Sequence, residues 1–181
     1  RFNDMANVLY QFTWGTFCDW HLEFTKPIFQ GDDENEKKET RTTTAWVLNQ
    51  ILHMLHPIMP FITEELWKSQ FDGDTSLTTG KWPELSQSLI DHDAELEIDW
   101  VVRLITQVRA LRSEMNVAPG AKIPMLLRDA NEATVNRLIS NHGIICSLAR
   151  LSTLKVHAGE TPKNSVQDVL NESTIILPLA G

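Results

Sequence analysis

Between residues 100 and 128 five cations, Arg103, Arg109, Arg112, Lys122 and Arg128, face one acid, Glu114, a local net charge of +4. Arginine suits phosphate because its planar guanidinium offers paired donors, and phosphate contact is how proteins position nucleic acid. The same run also suits a solvated helix face laced with salt bridges. Spacing alone leaves both readings open.

A second cluster is metal-like. Cys18 and His21 are three apart, as are His53 and His56. That spacing puts both members of a pair on one helix face, so a four-ligand zinc site across two helices is conceivable. The plainer reading is a small buried cysteine with histidines on or between helices, and the expectation is no metal. A nucleophilic Cys18 would need a third group to orient His21, and none is evident. Six tryptophans (14, 20, 46, 67, 82 and 100) could stack on bases. Aromatics on apolar helix faces are more often core, which is the reading for Trp20, Trp67 and Trp100. Trp82, in Gly-Lys-Trp-Pro, is expected to anchor its loop.

Signatures of catalysis are missing. There is no G-x-G-x-x-G or G-x-x-x-x-G-K-[ST], and no G-x-S-x-G. The 181 residues are 42% hydrophobic and 22% charged, as in a soluble globular chain able to bury a core. The two cysteines make no disulfide framework and fit a reducing cytosol. No secretion signal or run of ~18 apolar residues is present. Net charge is −8, which taken whole argues against nucleic acid. The average hides a split: residues 1–99 carry 7 basic and 18 acidic side chains, net −11, and residues 100–181 carry 9 and 6, net +3. Such asymmetry points to a charged partner.

The elements that must hold these residues are mostly helical. Residues 4–25 read as a helix with Asp4 as N-cap and a stripe of Met5, Val8, Leu9, Phe12, Thr16, Trp20 and Phe24. Pro27 and Gly31 should end it. A second helix spans about 35–55, with Ala45, Leu48, Ile51, Leu52 and Leu55 inward. His56-Pro57-Ile58-Met59-Pro60 follows. Pro57 should push His56 out of the helical region, and Pro60 should open a third helix over about 60–70. Glu64 and Glu65 are expected in its first turns. Asp72-Gly73-Asp74 breaks it, and residues 73–93 read as a long irregular loop. Residues 94–115 form the cleanest amphipathic pattern, with Ile98, Val101, Val102, Ile105, Val108, Leu111 and Met115 on one face and the arginines elsewhere. After Pro119-Gly120 a small β-α-β-β-β unit is expected: strand 123–127, with Pro124 marking an edge, helix 131–149, strand 154–157, and a hairpin of 166–170 and 174–179. The fold class is therefore mainly α: a helical bundle over residues 1–118, then a small α+β subdomain over 119–181.

Arg1-Phe2-Asn3-Asp4-Met5-Ala6-Asn7-Val8-Leu9-Tyr10, Phe17-Cys18-Asp19-Trp20-His21-Leu22-Glu23 and Lys26-Pro27 closely resemble the valyl-tRNA synthetases, class I aminoacyl-tRNA synthetases. His56 to Trp67 is shared more widely, with the isoleucine, leucine and methionine enzymes. The run from Arg109 to Lys122 points to the valine family, and Leu177-Pro178-Leu179-Ala180-Gly181 fits it. The departures are His21, where the family usually has Tyr, and Ala118, where a second Pro is common.

The resemblance implies the anticodon-binding bundle, without its first helix, and its α+β appendage, ending just before a coiled coil. It implies no catalytic residues here: the Rossmann domain with its HIGH and KMSKS signatures, the editing domain, and the use of ATP and Mg belong to the rest of the synthetase. The implied partners are tRNA(Val) and the remainder of the synthetase chain, in a cytoplasmic monomer with no membrane contact. Arg103, Arg109, Arg112 and Lys122 are the candidate tRNA contacts. The competing expectation is a helical protein-interaction module without direct RNA contact.

Overall fold

The computed structural model describes residues 1–71 and 76–178. The expected breaker Asp72-Gly73-Asp74 and the last strand residue Leu179 lie outside the described residues. The chain forms two compact units, Arg1–Leu89 and Ile90–Gly181.

The first unit is helical. It holds α1 (Phe2–Tyr10), a π-helical stretch (Gln11–His21), α2 (Leu22–Gln30), α3 (Glu34–Leu55) and α4 (Pro60–Gln70). The expected single helix over 4–25 is thus a continuous helical run with its middle underwound to i→i+5 bonding. A period above 3.6 turns the face within Gln11–His21, where Phe17 is buried and Phe12 and Trp14 are exposed; in α1 before it Leu9 is buried and Val8 exposed. Pro27 lies inside α2 rather than ending it. The ring removes only its own N–H, and the turn closes behind it, where the Gly31 N–H donates to the carbonyls of Pro27 and Ile28. Asp33 caps α3 by accepting from the N–H groups of Asn35 and Glu36.

The Pro57–Pro60 break differs from the expectation in one respect. His56 keeps helical angles, φ −56° and ψ −39°, because its N–H still donates to the Leu52 carbonyl and the turn runs on through Ile58 and Met59 to the Leu55 carbonyl. The chain redirects at Met59, φ −129° and ψ 63°, the residue that Pro60 excludes from the helical region. Pro60 opens α4 as expected. Glu64 and Glu65 stand beyond the first turn, so their effect on the helix dipole is slight.

The second unit joins α5 (His92–Glu114) to β1 (Ile123–Arg128), α6 (Glu132–Ser140), α7 (His142–Leu148), β2 (Leu151–Val156), β3 (Ser165–Leu170) and β4 (Ser173–Pro178). Sheet order is β2-β1-β4-β3, with β1 parallel to β2 and antiparallel to β4. β1 is therefore central, against the expected edge. Pro124 is tolerated because it sits at a register irregularity on the β2 side and before the β4 pairing begins at Leu126. The expected helix 131–149 is two helices meeting at Asn141. Trp100, Val101, Leu104, Ile105, Val108 and Leu111 of α5 are buried with Met125, Leu127, Ile145 and Ile175. Trp20 and Trp67 are half-buried, and Trp82 is 62% exposed rather than packed. The 118/119 division drawn along the sequence thus differs from the spatial one, because α5 packs beside β3 and α7.

Candidate nucleic-acid interface

The basic residues of 100–128 do not share one environment. Arg103 is exposed on α5, with Nε 2.8 Å from Asp99 Oδ2 and Nη1 donating to Asn171 Oδ1 at 3.0 Å. Gln107, one turn on, donates to the Val169 carbonyl at 3.2 Å. This end of α5 serves the β3–β4 turn. Arg128 is engaged by Asp129 and Thr161.

Arg109 and Arg112 converge elsewhere. Arg109 is exposed, and its Nε donates to the Leu148 carbonyl at 3.1 Å. Arg112, expected on the polar face, is only 6% exposed. Its guanidinium donates to the carbonyls of Arg150 at 3.2 Å, Ala118 at 3.4 Å and Ala121 at 2.7 Å. The expectation of a surface contact fails here for a physical reason. The last turn of α5 lies against the 116–121 loop and the α7–β2 junction, whose carbonyls need a donor, and arginine offers five. Burial, and then the like charge of Arg150, press the Arg112 guanidinium below its ordinary value.

These residues border a cleft of about 400 Å³. Arg109, Arg112 and Arg150 line it with Ser113, Pro119 and Leu148, and no acid is among the lining residues. Sequence reasoning passed over Arg150, which ends a helical pattern on its own. Lys122 is exposed and outside the cleft wall. Its charge still reaches α7: burial pushes the Cys146 thiol up, and Lys122 draws it partly back.

The metal quartet does not assemble. His21 Nε2 is 2.9 Å from Thr44 Oγ1, His53 Nδ1 is 2.9 Å from the Asn49 carbonyl, and His56 bridges Thr63 and Thr78. Among the described residues no three His, Cys, Asp or Glu side chains are grouped to hold an ion. Among those residues, too, no helix is long and apolar enough to cross a membrane.

An α-rich unit followed by an α+β unit that carries an arginine-lined cleft fits a nucleic-acid-binding module. The family model of the anticodon-binding domain of tRNA ligase matches residues 1–127, and the chain belongs to that family. At the level of whole proteins it is similar to valine–tRNA ligases. It is 44% identical over 183 residues to that of Rhizorhabdus wittichii, 46% over 185 residues to that of Brucella suis, and 44% over 183 residues to that of Caulobacter vibrioides. The alignments cover 99–100% of this chain and 20% of each relative, so the chain spans about a fifth of their length.

Proposed function

We propose that this chain is the anticodon-arm-binding part of a cytoplasmic valine–tRNA ligase, holding tRNA(Val) so that its acceptor end meets a catalytic domain elsewhere in that ligase. The anticodon-binding match over residues 1–127 carries the reading, and the valine–tRNA ligase relatives narrow it. In this reading the bundle is the family's anticodon-binding domain over 1–118, with 119–181 as its appendage, and the chain is a monomer. Valine activation, with ATP and Mg, belongs to the catalytic domain. Binding energy spent far from the reacting atoms would orient the tRNA. Exposed bases would supply stacking and edge contacts, and phosphates the salt-dependent affinity.

Arg103, Arg109 and Lys122 are the phosphate-facing cations in this account, and Arg112 supports them from inside. A protein-interaction role has one observation in its favour. The first unit carries an apolar cleft of about 220 Å³ lined by Ala6, Leu9, Tyr10, Thr13, Leu55 and Ile58, among others, and exposes Phe2 and Phe61 at 85% and 91%. That face suits packing by the remainder of a ligase chain.

Titration of the chain with tRNA(Val), an unrelated tRNA and a valine anticodon stem-loop at several salt concentrations tests the proposal. The expected result is salt-sensitive binding in which the stem-loop competes with tRNA(Val) better than an unrelated stem-loop does. Salt-independent binding, or none at low salt, would leave only the protein-interaction reading.

A further inference from the structure

We propose that the cleft between the end of α5 and the α7–β2 junction seats one backbone phosphodiester of the bound tRNA. Arg150 is its main donor, Arg109 flanks it, and Arg112 fixes its wall. The proposal rests on the tRNA-binding reading and goes beyond it by naming a residue and a seat that family membership does not supply.

The backbone at Arg150 is the first argument. Its φ is 53°, in the left-handed region that side chains with a Cβ rarely occupy. It follows Ala149, the C-cap of α7, at the position where helices commonly place glycine. The other positive-φ residues described are Asn116, Asp129, Asn164 and Asn171, the two types whose short polar side chains tolerate that region. Arginine there costs stability, and such costs gather at binding sites.

Charge is the second argument. The Arg150 side chain is exposed and forms no hydrogen bond or ion pair among the described residues. It faces the buried cation of Arg112, close enough for the two charges to disturb each other. With no acid among the lining residues, an anion would supply the missing countercharge. The cleft, about 400 Å³, admits a phosphodiester with its neighbouring sugar.

Rigidity is the third. The Arg150 carbonyl accepts from Arg112 Nη1 and from the Ile123 N–H, and Arg109 Nε holds the Leu148 carbonyl two residues earlier. The donor is thus mounted on backbone pinned from α5 and β1. Preorganisation of this kind lowers the cost of ordering on binding.

The test compares the wild-type chain with Arg150→Gly, Arg150→Gln and Lys155→Gln, the last an exposed cation of β2 outside the cleft. Arg150→Gly relieves the backbone, so it should melt no lower than wild type, yet it should bind tRNA(Val) roughly fivefold more weakly at low salt. In both Arg150 variants the slope of log K against log salt should shrink by about 0.7–0.9, one phosphate's share. Lys155→Gln should leave the slope unchanged. If wild type binds tRNA and the Arg150 variants keep its affinity and slope, this proposal falls and the tRNA reading stands. If wild type does not bind tRNA, both fall. Inorganic phosphate alone is the other arm. If it shifts the Ala149 and Arg150 amide resonances while the variants bind tRNA like wild type, the seat belongs to a free anion, which also overturns the proposal.

Discussion

The Arg112 guanidinium lies within the second unit and donates from Nη1 to the backbone carbonyl of Arg150, 3.2 Å away. Two cations 38 positions apart are thereby held together, one by its side chain and the other by its main chain. The buried member spends its donors on carbonyls and the exposed member keeps its own.

Arg112 should consequently behave as a stability residue. Arg112→Ala leaves the Ala121 carbonyl without its 2.7 Å donor and empties the space between α5 and the 116–121 loop. Loss of buried hydrogen bonds to a charged group should cost about 2–4 kcal/mol. Arg112→Lys should recover little of it, because an ammonium cannot span carbonyls on two segments. Urea denaturation would report this as a lower midpoint at constant m-value, and a midpoint within error of wild type would contradict the role.

Helix periodicity exposed α3, α4 and α5 in the sequence, and alternating apolar residues exposed the strands, because each pattern reports one face turned to a core. What stayed hidden depended on partners distant in sequence. Arg112 reads as polar-face charge until the loop carbonyls beside it are known. Pro124 reads as an edge until the irregular register that accommodates it is known. Pro27 and His56 show the limit of proline rules: the ring removes one donor, but where the chain turns depends on the bonds around it. Of the cleft, Arg109 and Arg112 could be noticed by charge density. Arg150 could not, since its distinction is a backbone angle.

The start of α6 carries a capping relay. Asn131 Oδ1 accepts from the Thr134 N–H at 2.9 Å, and the buried Thr134 hydroxyl donates to Glu172. That hydroxyl is the first reason the Glu172 carboxyl lies below its ordinary value; its own backbone N–H adds to this and burial opposes it. A lowered carboxylate favours the folded state fully above its unfolded value and loses that contribution as pH falls through the folded one. Asn131→Ala should cost about 1 kcal/mol. Thr134→Val should lower stability at neutral pH and make the acid-side loss shallower. Melting curves between pH 7 and pH 3 in which Thr134→Val loses stability as steeply as wild type would overturn the relay.

His56 bridges α4 and the Leu77–Thr79 turn. The Thr63 hydroxyl donates to the Met59 carbonyl at 2.7 Å, so its oxygen accepts from His56 Nδ1–H at 2.8 Å. In the neutral ring Nε2 is then left to accept from the Thr78 hydroxyl at 3.1 Å. His56→Phe keeps a ring but removes both links, and should cost about 1–2 kcal/mol. Proton-coupled ¹⁵N spectra should show the proton on Nδ1. A proton on Nε2 would refute the assignment, whatever the stability change.

His21 gives the first unit a pH dependence of predictable sign. Its ring stacks on Phe17 with centroids 5.4 Å apart, its Nε2 meets Thr44, and burial holds its pKa below the ordinary value. The unfolded chain therefore takes up a proton at higher pH than the folded one does. Stability is full above the ordinary histidine value and falls as pH drops through the folded value. His21→Gln and His21→Tyr, neither of which titrates in this range, should both flatten the melting temperature of this unit between pH 7.5 and pH 5, and His21→Tyr should keep more of the stability by retaining a ring against Phe17. The half-buried ring makes the effect small, so each variant must be compared with wild type across the whole range. A wild-type unit more stable at pH 5 than at pH 7.5, with the difference abolished by either substitution, would mean that the protonated ring is favoured in the fold and that the sign is reversed.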